Sequence, residues 1–209
     1  IMTEKIQTTL RDSAAMRWTA LLLLALAMFC AYIFVDILSP IKELMQEQRG
    51  WDSTAFGTMQ GSETFLNVFV FFLIFAGIIL DKMGVRFTAV LSGAVMLAGA
   101  LIKYYAISES FAGSAVEAWF TNNLNHIPVF EQLGVSPFYE GMPASAKVAA
   151  CGFMIFGCGT EMAGITVSRG IVKWFKGREM ALAMGSEMAL ARLGVATCMI
   201  FSPFFAKLG

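Results

Sequence analysis

The chain has 209 residues, of which 57% are hydrophobic and 14% are charged, and its formal net charge is zero. A soluble globular domain is nearer to about 45–50% apolar and about a quarter charged. A zero net charge argues against a nucleic-acid-binding protein, and the absence of GxxxxGK[ST] and HExxH patterns argues against the commonest nucleotide and metal sites. Long apolar runs alternate with short charged clusters, which is typical of an all-α, polytopic membrane protein.

Five apolar segments have roughly the 20 residues that are needed to cross about 30 Å of hydrocarbon. They cover residues 18–38, 64–80, 87–107, 148–170 and 180–205. The first is too long for a signal peptide and no Ala-x-Ala site follows it, so we expect a retained span after a cytoplasmic segment, residues 1–17. Residues 108–147 form a long outer loop, in which His126 has no candidate co-ligands and is expected to be solvated.

The lysines and arginines beside these segments predict the orientation in the lipid bilayer. One side carries nine of them: Lys5, Arg11, Arg17, Lys82, Arg86, Arg169, Lys173, Lys176 and Arg178. The other side carries four: Lys42, Arg49, Lys103 and Lys147. This bias places the N-terminus in the cytoplasm. Because transporters are built from repeated helix bundles, an odd number of spans predicts that residues 18–209 are part of an N-terminal bundle whose partner half is missing.

The cysteines and the other reactive side chains do not form a recognisable catalytic set. Cys30, Cys151, Cys158 and Cys198 all lie within apolar runs, and no pair has CxxC spacing. We therefore expect small hydrophobic residues and not a disulfide or a metal site. No histidine, cysteine and serine constellation indicates an enzyme, and no cofactor or metal ion is expected.

Two charged residues lie near the middle of predicted spans, Glu161 in the fourth and Arg192 in the fifth. A charge at the bilayer centre costs about 2.5–3.5 kcal/mol on insertion scales, so it normally faces a partner or a water-filled cavity. Two interpretations follow. Either Glu161 and Arg192 pair directly and hold their helices together, or they line a cavity for a ligand with one positive and one negative end.

Two further acids lie closer to the ends of the predicted spans. Asp36 precedes Ser39-Pro40, a pattern that favours a helix end. It is either a solvated helix-end carboxylate or part of a cavity wall or gate. Glu63 opens the second predicted span and is interpreted as a flanking charge.

Residues 77–87 read Gly-Ile-Ile-Leu-Asp-Lys-Met-Gly-Val-Arg-Phe. The pattern predicts a helix that ends near Asp81, a turn at Gly84 and a second helix after Arg86. We expect Gly77 to allow close approach of a neighbouring helix. Asp81 and Arg86 could brace the turn against a partner helix, whereas an ordinary basic hairpin would explain only Lys82 and Arg86.

This stretch resembles the G-x-x-x-D-[RK]-x-G-x-[RK] signature that lies between the second and third helices of the major facilitator superfamily. The matching residues are Gly77, Asp81, Lys82, Gly84 and Arg86, and Phe87 replaces a second basic residue of the fuller motif. The resemblance implies an all-α secondary transporter, of which this chain supplies five of the six spans of the first bundle. It also implies that the motif belongs to a cytoplasmic gate.

A second resemblance is to the lysosomal dipeptide-transporter branch of that superfamily. It rests on Trp-Phe-Lys-Gly-Arg-Glu at 174–179 and Ala-Leu-Ala-Arg-Leu-Gly at 189–194. It implies that Glu161 and Arg192 hold the amino and carboxyl ends of a dipeptide. Tyr32 and Asp36 are similar to a Tyr-x-x-x-Asp of its first helix and join the expected substrate site.

We therefore expect a transporter of small zwitterions, dipeptides or amino acids, in a bacterial inner (plasma) membrane. Two alternatives remain open. The chain could belong to a transporter of small organic or inorganic anions, in which the Trp174-Phe175 loop also occurs, or to a membrane scaffold that transports nothing.

Overall fold

The computed structural model describes residues 13–125 and 127–206, and all regular secondary structure in these ranges is helical. The expected all-α class is confirmed for this part of the chain. Its α-helices are α1 (Ala14–Asp36), α2 (Lys42–Arg49), α3 (Ser53–Phe69), α4 (Phe72–Ile107), α5 (Ala115–Asn122), α6 (Pro128–Gln132), α7 (Ala144–Phe175) and α8 (Met180–Ala206). His126, Lys5 and Arg11 lie outside the described residues.

Among the described residues, four helical segments are long and apolar enough to cross a membrane. They are Ala14–Arg49, Phe72–Ile107, Ala144–Phe175 and Met180–Ala206. Large apolar side chains point outward from three of them; Leu23 is 64% exposed, Val90 75% and Ile200 68%. Helices that are apolar on their outer faces suit a lipid environment, which indicates a membrane protein.

The second predicted span, residues 64–80, does not form one continuous helix. Helix α3 ends at Phe69, Phe71 adopts a left-handed conformation with φ 54°, and α4 begins at Phe72. The sequence gives no signal for this break, because the surrounding residues are phenylalanine, valine and leucine, which are equally apolar in either conformation. The segment is therefore split between two helices.

The third predicted span, residues 87–107, is the second part of α4. Gly84 interrupts that helix with φ 79° and ψ 170°, a conformation that glycine adopts without a steric penalty. Before Gly84, the chain runs parallel to α7. Ser62 donates a hydrogen bond to the Ala150 carbonyl at 3.0 Å, and farther along both segments Asp81 pairs with Arg169.

After Gly84, the second part of α4 runs antiparallel to α7. A methyl group added at Gly159 would lie 2.8 Å from the Met96 nitrogen, and one added at Gly152 would lie 2.8 Å from the Lys103 nitrogen. The chain therefore reverses at Gly84, where the sequence predicted the turn. We call this end of the bundle the Gly84 end.

Helix α7 is the centre of the bundle, since α1, α3 and both parts of α4 pack on it. Rings of Phe34 on α1 and Phe156 on α7 lie 4.7 Å apart. Helix α8 packs mainly on α1 and runs parallel to it: a methyl group at Gly194 would collide with the Phe29 carbonyl oxygen. Farther along, Ser202 donates a hydrogen bond to the Ile37 carbonyl at 3.0 Å.

The predicted outer loop is shorter than expected, because α7 begins at Ala144 and includes Lys147. That lysine, predicted to be a flanking cation, is only 1% exposed. Its ammonium donates hydrogen bonds to the Phe120 and Asn123 carbonyls and to the Asn125 side-chain oxygen, at 2.8–3.2 Å. Lys147 thus fixes the 108–143 segment to the end of α7 that lies opposite the Gly84 end.

Candidate functional site

The predicted site residues Arg192 and Tyr32 lie side by side. The guanidinium carbon of Arg192, on α8, is 6.0 Å from the centre of the Tyr32 ring on α1. The preceding residue, Ala191, is 5% exposed, whereas Arg192 itself is exposed. A cation over an aromatic face is stabilised without using its hydrogen-bond donors, so the guanidinium keeps its donors for another group.

Glu161, on α7, is half-buried and does not pair with Arg192. The one ion pair within the described residues joins Asp81 to Arg169. The interpretation in which Glu161 and Arg192 lock their helices together by a direct pair is therefore wrong. The two charges belong to different helices and each remains available to a third group.

The depth of Glu161 and Arg192 in the bundle follows from the neighbours of α1. Phe34 on α1 meets Phe156 on α7, and the α1–α7 pair is antiparallel, so Glu161 is level with the turn that contains Tyr32. On the other side, Phe29 meets Gly194 on α8. The backbone of Arg192 therefore lies about one turn nearer the Gly84 end than that of Tyr32, and the arginine side chain extends to the Tyr32 ring. The two charges are therefore at similar depth.

Lys103 is a functional candidate that the sequence analysis missed, because it was counted as a flanking cation. The side chain is 1% exposed. Its ammonium lies 3.7 Å from the centre of the Phe153 ring and 5.2 Å from that of Phe34, and it has no hydrogen-bond acceptor among the described residues. The sequence did contain a signal for this burial: Lys103 lies inside the predicted span 87–107, one turn after Gly99.

Glu63 was predicted to be a flanking charge, and this prediction is wrong. It is half-buried on α3, where its carbonyl oxygen touches the position a methyl group at Gly157 would occupy. Its electrostatic neighbours are Glu161, Lys103 and Asp36. Glu63 is thus within electrostatic range of acids from α1 and α7 and of one ammonium from α4, and it forms no ion pair with that ammonium. We call Asp36, Glu63, Lys103 and Glu161 the charged cluster.

Asp36 is half-buried and is not merely a solvated helix end. It accepts a hydrogen bond of 3.4 Å from the Ser39 hydroxyl and interacts electrostatically with Glu63 and Lys103. On the same side of the bundle, the buried side-chain oxygens of Gln60 and Asn67 have no hydrogen-bond donor among the described residues. The interior next to α3 is thus rich in acceptors.

A cavity of about 550 Å³ lies between α1, α4 and α8, towards the end of the bundle opposite Gly84. Its walls are apolar, formed by residues such as Ile33, Ile37 and Phe201, and Lys103 is the one charged residue that lines it. The cavity therefore offers an apolar volume beside a buried cation.

The motif Gly77, Asp81, Lys82, Gly84 and Arg86 lies at the Gly84 end. Asp81 binds Arg169 of α7, a helix outside its own hairpin, as expected. Lys82 and Arg86 are exposed, and Arg86 shares a small hollow with α7 residues but forms no ion pair within the described residues. The expectation for Gly77 is wrong, since a methyl group added there meets nothing within 4 Å.

The close approaches expected of Gly77 occur elsewhere. They involve Gly99, Gly152, Gly157, Gly159 and Gly194, where an added methyl group would collide with a neighbouring helix. Gly77 instead borders an open hollow of about 750 Å³ between α4 and α7.

Among the described residues, no group of three histidine, cysteine, aspartate or glutamate side chains could hold a metal ion. The candidate site is a set of single charges on separate helices. No family model, no curated protein and no solved structure matches this chain.

Proposed function

We propose that the chain is the first bundle of a major facilitator transporter that carries small zwitterions, most readily dipeptides or amino acids, by alternating access. The observation that carries this proposal is the separation of two opposite charges at similar depth. Arg192 is held by Tyr32 and Glu161 is left without a basic partner at contact distance. A ligand with an ammonium and a carboxylate would satisfy both.

In this proposal Glu161 binds the substrate ammonium and Arg192 binds the carboxylate. The planar guanidinium can donate two parallel hydrogen bonds to a carboxylate, which a lysine cannot. Tyr32 orients the guanidinium, and Asp36 supplies a further carboxylate one turn along α1 from Tyr32. Movement of this bundle against a second one would then expose the site to each side of the membrane in turn.

The motif Gly77, Asp81, Lys82, Gly84 and Arg86 would belong to the cytoplasmic gate. The Asp81–Arg169 pair supports this role, because it joins the Gly84 turn to the central helix. The pair is solvent-exposed, with side chains 64% and 52% exposed, and such pairs are worth about 0–1 kcal/mol. A contact this weak can break and re-form during each transport cycle.

A transporter of small anions is the second candidate, and Lys103 is the observation that favours it. A buried ammonium without an acceptor, together with Arg192, gives two cations that could neutralise an anion. The acids Asp36, Glu63 and Glu161 count against this candidate, since they would repel an anion from the same interior.

Ligand binding to purified single mutants tests the proposal. Arg192→Ala should weaken dipeptides with a free carboxylate by a factor on the order of a hundred, because the carboxylate would lose the donors that replace its hydration. Glu161→Gln should weaken peptides with a free amino group and spare N-acetylated ones. Glu187→Gln removes a half-buried acid of α8 and should leave both ligand classes unchanged.

The double variant Glu161→Gln, Arg192→Met supplies the decisive control. If it remains folded in detergent and still binds dipeptides normally, these residues do not form the substrate site. If simple anions bind and zwitterions do not, the anion transporter replaces the dipeptide transporter.

A further inference from the structure

We propose that the apolar cavity beside Lys103 binds a hydrocarbon-chain carboxylate, that is, a free fatty acid that enters from the lipid bilayer. The carboxylate pairs with the Lys103 ammonium, and the chain fills the cavity. Glu161, Arg192 and Tyr32 do not line this cavity. The site is therefore separate from the proposed substrate site and does not depend on the proposed function.

The first observation is a buried cation without a counter-ion at contact distance. Lys103 is 1% exposed, and its ammonium has no hydrogen-bond acceptor and no ion pair among the described residues. It lies over the rings of Phe153, at 3.7 Å, and Phe34, at 5.2 Å. A charge in a membrane interior normally has a partner or faces a cavity, so the next question is what lies beside this lysine.

The cavity of about 550 Å³ lies beside it, and both Lys103 and Phe34 belong to its wall. Phe153 covers the ammonium on the side of α7. Because the lysine side chain is a flexible four-carbon stem, the ammonium can turn from the Phe153 ring towards a ligand in the cavity. The hydroxyls of Thr197 and Ser202, which also line the cavity, already donate to backbone carbonyls. The strong donor that this wall offers to a ligand is therefore Lys103.

The remaining walls select an apolar chain. Ile33, Ile37 and Phe201 offer a ligand only hydrocarbon surface, to which water binds poorly and an alkyl chain binds well. Helix α4 packs mainly on α7 and helix α8 mainly on α1, and the two hardly contact each other. Tyr104 and Phe201, on the two sides of this gap, are 67% and 50% exposed. A ligand with an apolar chain can therefore enter sideways from the acyl region of the bilayer.

The head group is a carboxylate for two reasons. An ammonium and a carboxylate form a charge-assisted hydrogen bond, which is roughly twice as strong as one between neutral groups. A phospholipid would also bring ester and phosphate oxygens, and their burial against apolar walls without donors costs free energy. The acids that act electrostatically on Lys103, Asp36 and Glu63, neither line the cavity nor form an ion pair with the ammonium. The position beside the ammonium is therefore open to a ligand.

Calorimetric titration of the protein in detergent tests the site with octanoate, 1-octanol and acetate. Octanoate should bind on the order of ten to a hundred times more tightly than octanol, as expected for one charge-assisted hydrogen bond. Acetate, which lacks the chain, should not bind measurably. Lys103→Met removes the ammonium but keeps a long apolar side chain, so octanoate should then bind no better than octanol. Lys42→Met removes a lysine that also lies over a ring, that of Phe56, but does not line the cavity, and it should change nothing.

Two further variants keep the test sharp if Lys103→Met does not fold. Lys103→Arg keeps the charge and should retain the preference for octanoate. Ile37→Phe fills part of the cavity and should weaken octanoate and octanol alike, because it removes space and not charge. Equal affinity of the unchanged protein for octanoate and octanol would overturn the role of Lys103, and unchanged affinities in Ile37→Phe would overturn the position of the chain. If phosphatidylglycerol displaces octanoate as well as palmitate does, the ligand is a phospholipid and the fatty-acid assignment is wrong. Each of these results is independent of whether the chain binds dipeptides.

Discussion

Four cationic side chains in the described residues lie over aromatic rings. They are Arg17 on Phe175, Lys42 on Phe56, Lys103 on Phe153 and Arg192 on Tyr32. Such contacts contribute about 0.5–1 kcal/mol when exposed and about 2 kcal/mol when desolvated. The aromatic face stabilises the positive charge but accepts no hydrogen bond. For the buried Lys103 and the exposed Arg192, the charge is therefore stabilised while its hydrogen-bond donors stay available.

Another residue-scale feature is the carboxylate of Asp52, which receives two donors. It accepts a hydrogen bond of 2.6 Å from the Ala55 backbone nitrogen and thereby caps α3, and one of 3.1 Å from the Tyr139 hydroxyl. Burial, together with this hydrogen bond and the negative charge of Asp52, raises the pKa of Tyr139 to about 12. The contact joins the 108–143 segment to the start of α3.

This shift predicts a pH dependence. The ordinary pKa of tyrosine is about 10, so the folded chain holds the phenol proton more tightly than the unfolded one. The stabilisation is complete below pH of about 10 and is lost as the pH rises through about 12. In a titration followed by phenolate absorbance, Tyr139→Phe should remove a step near pH 12, and Asp52→Ala should move that step to lower pH. A step that Asp52→Ala leaves in place would contradict the role of Asp52.

At the scale of elements, α4 and α7 pack through glycines and not through large side chains. A methyl group at Gly99 would lie 2.5 Å from the Gly152 carbonyl oxygen, and one at Gly159 would lie 2.6 Å from the Met96 side chain. Small residues let membrane helices approach closely, so that van der Waals contact replaces the hydrophobic effect that lipid cannot supply.

The interface predicts opposite results for two glycines of α4. Gly99→Ala should force the helices apart and destabilise the protein by about 1–3 kcal/mol, the usual cost of overpacking. Gly93→Ala, where an added methyl group meets nothing within 4 Å, should be neutral or stabilise the helix by up to about 1 kcal/mol. Thermal unfolding in detergent, followed by loss of the monodisperse species, measures both. Equal losses would show that the α4–α7 contact is looser than described.

The sequence predicted elements better than it predicted their contacts. Long apolar runs identified α1, α7 and α8 to within a few residues, because hydrophobic length alone decides whether a helix can cross a membrane. The turn at Gly84 was found because a left-handed residue favours glycine. Burial of Lys103 and Glu63 was missed, since it depends on which face of each helix meets α7, and segments this apolar on every side have almost no periodicity to reveal a buried face.

For the whole molecule, the Gly84 turn decides how α3 and α4 cross the membrane. In the part of the chain that the structure describes, four segments are long and apolar enough to span a membrane. Helix α4 nevertheless reverses its direction relative to α7 at Gly84. If α3 and residues 72–83 together form one crossing and residues 85–107 the next, the described chain crosses five times. Lys82 then lies at the same surface as Lys176, and Glu140 lies at the opposite one.

Cysteine accessibility separates the two topologies. Lys82→Cys, Glu140→Cys and Lys176→Cys all replace exposed residues, and a membrane-impermeant maleimide is applied to intact and then to permeabilised cells. Five crossings predict that Glu140→Cys reacts in intact cells, whereas Lys82→Cys and Lys176→Cys react only after permeabilisation, because the basic flanks favour the cytoplasm. The unchanged protein, whose cysteines lie within helices α1, α7 and α8, measures the background. If Lys82→Cys stays unreactive after permeabilisation while Lys176→Cys reacts, residue 82 is inside the membrane, and α4 is a single span bent at Gly84.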